Sequence, residues 1–201
     1  MVFEGHYFYF LSWISWIVVT FFFPKNSQRF LLSILILSII AGSSSFITII
    51  GFQISISFVI LFLTTFVCLV KVLKGQYLLQ YFSICTISLA YVCFKLFEIY
   101  DPVWIIFNRI WMLSFILLYL ALLLFKSREE RYVYLLTGIM LGEILSNFVL
   151  DTVFQYSLIG AFEFLDVLAM SVAGLTLWIS FETITVFLDS LIQKRVKEKQ
   201  G

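Results

Sequence analysis

The sequence predicts an all-α integral membrane protein, a bundle of seven transmembrane helices with its N-terminus outside and its C-terminus inside the cell membrane. Three observations carry that prediction. Of the 201 residues, 62% are hydrophobic and only 12% charged, against about 45–50% and about 25% in a soluble domain. The apolar stretches are continuous and roughly twenty residues long, the length a helix needs to cross a bilayer, whereas barrel strands alternate over about ten residues. Finally, the basic residues gather at every second break between those stretches, as the positive-inside rule requires of an alternating topology.

The first span covers about residues 5–23 and stops at Pro24 and Lys25. Glu4 precedes it and no small-residue cleavage site follows Phe21, Phe22 and Phe23, so a retained span is expected here and not a signal peptide. The second span is placed at about 30–50, with Gly51, Phe52 and Gln53 as an uncharged turn. Gly42 and Ser43 to Ser45 offer an earlier turn, but stopping there leaves only about twelve residues, too few to cross unaided. The third span runs over about 54–73 to Lys71 and Lys74, and the fourth over about 77–97. Asp101 followed by Pro102 reads as an N-cap and first helical position, which opens the fifth span at 102 and carries it to about 125. The sixth covers about 132–150. An apolar connector leads to the seventh, about 162–191, and a basic tail closes the chain at 193–201.

Charge placement checks the count. Lys25, Arg29, Lys71, Lys74, Lys126, Arg128, Arg131, Lys194, Arg195, Lys197 and Lys199 all fall on one side, eleven of the 13 basic residues. Glu4, Glu98, Asp101, Asp151, Glu163 and Asp166 fall on the other. A six-span arrangement would put basic clusters on both sides, so the pattern needs an odd number. The net charge of +1 excludes a nucleic-acid binder working through a basic field. The tail is a topology determinant, with attraction to anionic lipid as a further role it has the charge for.

No catalytic or cofactor-binding motif is present: the chain has no Gly-x-Ser-x-Gly, Walker loop, His-Glu-x-x-His or Cys-x-x-Cys. One histidine, His6, cannot build a multi-His metal site. Cys68, Cys85 and Cys93 lie inside apolar runs and read as small hydrophobes. Tyr7, Tyr9, Trp13, Trp16, Tyr77, Tyr81, Tyr132 and Tyr134 are expected in interfacial belts, and the Phe residues elsewhere against lipid.

The intramembrane ionisable groups are more informative, because each is costly in a bilayer. Lys95 is near enough to the outer end to snorkel, with Glu98 a turn away. Counted from the predicted boundaries, Arg109 lies about 10 Å deep and Glu143 about 12 Å deep from the outer side, on consecutive spans, so the two are expected to pair. Asn147 and Asp151 follow Glu143 at helical spacing, and Glu182 sits in the seventh span on a face with Trp178, Thr185 and Asp189. Arg109, Glu143, Asn147 and Glu182 are read in one of two ways, as a polar cavity or ion path, or as buried pairs that fix helix register. The second is the plainer reading. Gly138, Gly142 and Ser146, and Ala169 with Ala173, have the small-residue spacing that lets helices approach closely.

Glu4, Gly5, His6, Tyr7, Phe8 and Tyr9 leading to Trp13, Trp16 and Phe23 resemble the start of the YphA-like proteins of Bacillus-type Firmicutes. Arg128 to Tyr132, followed by Gly138, Gly142 and Glu143, adds to the likeness. The resemblance implies a bacterial multi-pass plasma-membrane protein and no mechanism. The resulting expectation is a non-enzymatic partner or scaffold subunit, in contact with the bilayer and a second membrane protein. The alternative is a small transporter or substrate-binding subunit using the polar cluster, with a ligand the sequence does not name. No cofactor is implied.

Overall fold

Seven helices and one small sheet make up the computed structural model, which describes residues 4–49, 51–72, 77–101, 103, 105, 107–154 and 158–200. In chain order these are α1 (His6–Phe22), α2 (Ser27–Gly42), β1 (Phe46–Ile49), β2 (Phe52–Ser55), α3 (Ile56–Val72), α4 (Tyr77–Tyr100), α5 (Arg109–Leu124), α6 (Arg128–Phe154), β3 (Leu158–Ile159) and α7 (Phe162–Gln200). By length and composition, α4 over Leu78–Tyr100, α6 over Arg128–Thr152 and α7 over Phe162–Gln193 are long and apolar enough to cross a membrane. The other four are shorter apolar helices.

Two boundaries correct the sequence reading. The second span does not continue to residue 50: α2 ends at Gly42, and β1 and β2 pair antiparallel, Phe46 opposite Ser55 and Ile49 opposite Phe52. A helix can stop inside an apolar stretch only if its last carbonyls find donors. Here two serine hydroxyls supply them, Ser43 Oγ donating to the Ile40 carbonyl at 2.8 Å and Ser57 Oγ to that of Ile39. Gly51, at φ +87°, then turns the chain, a conformation glycine adopts without steric cost. The fifth span does not open at Asp101 and Pro102. The Asp101 N–H bonds the Phe97 carbonyl at 2.9 Å and so finishes α4, while Pro102 lies outside the described residues. Asn108 caps α5 instead, its side chain accepting from the Ile110 N–H at 3.0 Å.

The helices alternate in direction, as contacts between their ends show. Tyr9 at the start of α1 bonds Ser43 at the end of α2 (2.7 Å), and Phe58 at the start of α3 packs on Phe164 at the start of α7, ring centroids 5.4 Å apart. Arg109, the first residue of α5, bonds Glu98 near the end of α4. So odd-numbered helices begin, and even-numbered helices end, at one and the same end of the bundle. That end also carries the sheet, in which β3 joins β2 in parallel, Gln53 beside Leu158.

α4 and α6 share the longest interface. Glycine is what permits it: a Cβ on Gly138 would lie 2.5 Å from Ile87 Cγ2, and one on Gly142 2.8 Å from Tyr91 Cβ. Around this seam Ile87, Tyr91, Leu117, Leu135, Ile139, Phe164 and Leu175 are fully buried. The expectation that Phe residues face lipid therefore fails for Phe8, Phe58 and Phe164, which are core. Tyr134 is likewise no belt residue but buried, its ring 4.7 Å from that of Phe125. Large apolar side chains such as Phe21, Phe30, Phe115 and Leu177 cover the outside, the surface a bilayer solvates and water does not.

Candidate functional site

Ionised side chains converge where α4, α5, α6 and α7 meet at the sheet-bearing end. Their centre is Glu143 of α6, whose side chain is 1% exposed. Three donors hold its carboxylate: the Tyr91 hydroxyl (2.6 Å) and the Lys95 ammonium (3.1 Å) on Oε2, and the Gly160 N–H (3.2 Å) on Oε1. Lys95 also lies 5.3 Å from the centroid of the Tyr91 ring. Tyr91 and Lys95 are four residues apart on α4 and so share a face. Gly160 follows β3 at φ +78°, and a Cβ there would meet Phe58 Cβ at 2.6 Å, so the close approach that brings its N–H to Glu143 requires glycine.

Arg109 forms a second knot beside the first. Its Nη1 donates to Glu98 Oε1 at 3.0 Å, its Nε lies 3.5 Å from Glu163 Oε1, and its Nη2 lies 3.9 Å from Glu4 Oε1. The guanidinium thus ties the beginnings of α1, α5 and α7 to the end of α4. The expected Arg109–Glu143 pair is not formed: Glu143 takes Lys95, and Arg109 takes Glu98. The reason is the boundary of α5. Arg109 opens that helix and is 40% exposed, so it sits nearer the rim than a span opening at 102 would place it. Lys95 corrects the reading too, since it turns inward to Glu143 and does not snorkel outward.

Between the two knots lies a cavity of about 340 Å³, lined by Lys95, Glu98, Arg109, Glu143 and Glu163 with Ile99, Leu150, Leu158 and Ala161. A second recess of about 300 Å³ lies along Arg109 and Glu163, reaching Glu4, Asn108 and Asp166. Asp166 is committed to structure, accepting the Gly5 N–H at 2.8 Å and the Phe8 N–H at 2.7 Å. It thereby caps α1 from a different helix. Among the described residues no group of three or more His, Cys, Asp or Glu side chains could hold a metal ion.

The remaining residues singled out from the sequence disperse. Asn147 is buried one turn from Glu143; its Nδ2 donates to the Glu143 carbonyl at 2.9 Å, and Oδ1 has no partner among the described residues. Ser146 Oγ donates to the same carbonyl at 3.0 Å. Glu182 is nowhere near this cavity. It sits toward the opposite end, accepting from Arg131 at 2.9 Å and Trp178 Nε1 at 2.8 Å. Its face, with Trp178, Thr185 and Asp189, does not look into the bundle: Trp178, Thr185 and Asp189 are exposed. Ala169 and Ala173 line an apolar groove between α1, α2 and α7. Cys68 and Cys93 are exposed, not buried. Sequence reading overlooked Tyr91, Glu163 and Gly160. Two of these left a trace, because Tyr91, Lys95 and Glu98 recur on one helical face and Glu163 opens a span.

A family model described as YphA-like integral membrane protein matches residues 4–201. The chain is 26% identical over 199 residues to the uncharacterized protein YphA of Bacillus subtilis (strain 168), covering 98% of this chain and 97% of that protein. No solved structure matches.

Proposed function

The chain belongs to the YphA-like integral membrane protein family, and from that premise we propose that it is a non-enzymatic, seven-span plasma-membrane protein that binds a small amine or zwitterion in its charged cavity. One observation carries the reading, the space of about 340 Å³ walled by three carboxylates and two cations. At about 30 Å³ per water that volume takes roughly eleven waters or a compact solute, the lower end of the range for ligand sites. With every lining group ionised the wall is one negative charge in excess, so an amine is favoured and a dicarboxylate opposed. The alternating helix directions support seven spans, and the basic residues at the other end of the bundle, Lys25, Arg29, Lys71, Lys126, Arg128 and Arg131, support an outward-facing mouth. No feature among the described residues favours the partner-subunit reading over this one.

The test is thermal unfolding of the purified protein in detergent with ethanolamine, β-alanine or succinate. Ethanolamine or β-alanine raises the melting temperature, succinate does not, and Glu163→Gln abolishes the rise. Stabilisation by succinate alone would reverse the charge argument. No shift with any of the three at tens of millimolar would remove the binding reading.

A further inference from the structure

A second space, remote in chemistry from the charged cavity, has two ends of opposite character. A groove of about 460 Å³ runs between α1, α2 and α7. Leu11 and Ile36 stand among its apolar walls, and Ser12, Ser15, Ala169 and Ala173 leave the room that larger side chains would fill. The groove reaches Phe23, the C-cap residue just past the end of α1. From Leu11 to Phe23 it follows about 18 Å of helix at 1.5 Å per residue.

Directly beyond Phe23 the chain turns polar and cationic: Pro24, Lys25, Asn26, Ser27, Gln28, Arg29. Lys25 is exposed and Arg29 partly so. Arg29 donates one Nη1 N–H to the Thr20 carbonyl at 3.0 Å, and the rest of its five-donor fork remains for another acceptor. Asn26 occupies the N-cap of α2 without its side chain accepting a bond. The first N–H groups of α2 therefore add donors and a partial positive charge to the same spot.

We propose that this groove seats an anionic glycerophospholipid, with an acyl chain between α1, α2 and α7 and the phosphate on Lys25, Arg29 and the start of α2. Charge complementarity at the mouth selects this occupant. A lipid without a phosphate leaves the two cations unused, a zwitterionic one brings a cation of its own beside them, and a free phosphate leaves the groove unfilled. Two cations near a membrane surface predict roughly a 30-fold preference for an anionic over a zwitterionic headgroup, about fivefold for each.

The experiment is native mass spectrometry of the full chain released from detergent, titrated with phosphatidylglycerol or phosphatidylcholine of the same acyl composition. One phosphatidylglycerol binds with roughly 30-fold preference, Lys25→Gln with Arg29→Gln abolishes the preference, and Ala173→Leu weakens both lipids. Because Ala173→Leu faces α1 and α2 and carries a folding risk, Ser15→Leu fills the groove from the other wall. Equal binding of the two lipids by the parent protein overturns the proposal. So does a preference that survives the double Gln variant, or full lipid binding in folded Ser15→Leu. Displacement by inorganic phosphate at equal concentration would also overturn it, by assigning the site to the mouth alone.

Discussion

Gly138 and Gly174 are both helical glycines in the bundle, and the same substitution should move them in opposite directions. In a helix interior, Gly→Ala gains up to about 1 kcal/mol. At Gly138 the added Cβ would lie 2.5 Å from Ile87 Cγ2 and 2.7 Å from Ile87 Cβ. Cβ is fixed to the backbone and Ile87 is fully buried, so α4 and α6 must separate. Overpacking of that kind costs roughly 1–3 kcal/mol, leaving Gly138→Ala neutral to about 2 kcal/mol less stable. At Gly174 the close atom among the described residues is Leu118 Cδ2 at 3.0 Å, the end of a flexible side chain. There the helix gain survives, so Gly174→Ala is neutral to about 1 kcal/mol more stable. The two variants should differ by about 1–3 kcal/mol, roughly 5- to 150-fold in the ratio of folded to unfolded protein. Reversible unfolding by sodium dodecyl sulfate, followed by tryptophan fluorescence, measures that ratio directly. Equal stability of the two variants would refute the claim that glycine sets the α4–α6 spacing.

Three further outcomes follow from the polar contacts and the charge placement. Asp166→Ala removes the acceptor for the Gly5 and Phe8 N–H groups and should cost about 1–2 kcal/mol, with proteolysis near residue 5 as the local readout; unchanged cleavage would mean α1 is held without that cap. Lys95→Met alone strands a buried carboxylate and should cost on the order of 3 kcal/mol or less in a membrane setting, whereas Lys95→Met with Glu143→Met should recover most of it. A double variant no better than the single would show that the Tyr91 and Gly160 donors, not Lys95, dominate at Glu143. For topology, with Cys68, Cys85 and Cys93 replaced, cysteines introduced at Ser27 and Ser127 should resist an impermeant thiol reagent in intact cells, and one at Gln155 should react; labelling at Ser27 from outside would reverse the orientation.

The helical character and most helix positions were legible because a twenty-residue apolar run has few other solutions in lipid. What was not legible came from short-range chemistry that hydropathy does not weigh. Residues 47–50 are all β-branched and 52–55 alternate apolar and polar side chains, but demanding a spanning length for the second helix overrode that signal and the serines before it. Short apolar runs do not distinguish strand from helix by periodicity alone. At Asp101 and Pro102 a sound capping rule met a competitor, Asn108, with the same ability to cap. That one boundary propagated: seven residues of assumed helix placed Arg109 at the depth of Glu143 and paired the wrong charges. The small-residue spacing of Gly138 and Gly142 pointed to close packing, while the partner helix, α4, is a tertiary fact that no local pattern contains.

Comparing the two ends of the bundle separates charges that close a crossing from charges that frame a space. Arg131 donates to both oxygens of Glu182 and to the Phe125 carbonyl at 2.9 Å, and Trp178 donates to Glu182 as well. The Arg131 bonds join α5, α6 and α7 to one another, the Trp178 bond braces Glu182 within α7, and the group lines none of the cavities described above. At the other end Glu143 and Glu98 hold bonds of similar length, yet the side chains stand around about 340 Å³ of space. Buried ion pairs contribute little net stability relative to well-packed apolar side chains, and an apolar filling of that volume would gain hydrophobic burial as well. Five charged side chains framing a cavity are therefore the poorer solution for stability alone. The cavity makes physical sense if the energy forgone in packing is recovered when a polar solute enters and meets the Glu98, Glu143 and Glu163 carboxylates. By that argument the Arg131–Glu182 group is structural, and the cavity around Glu143 and Arg109 is where function should be sought.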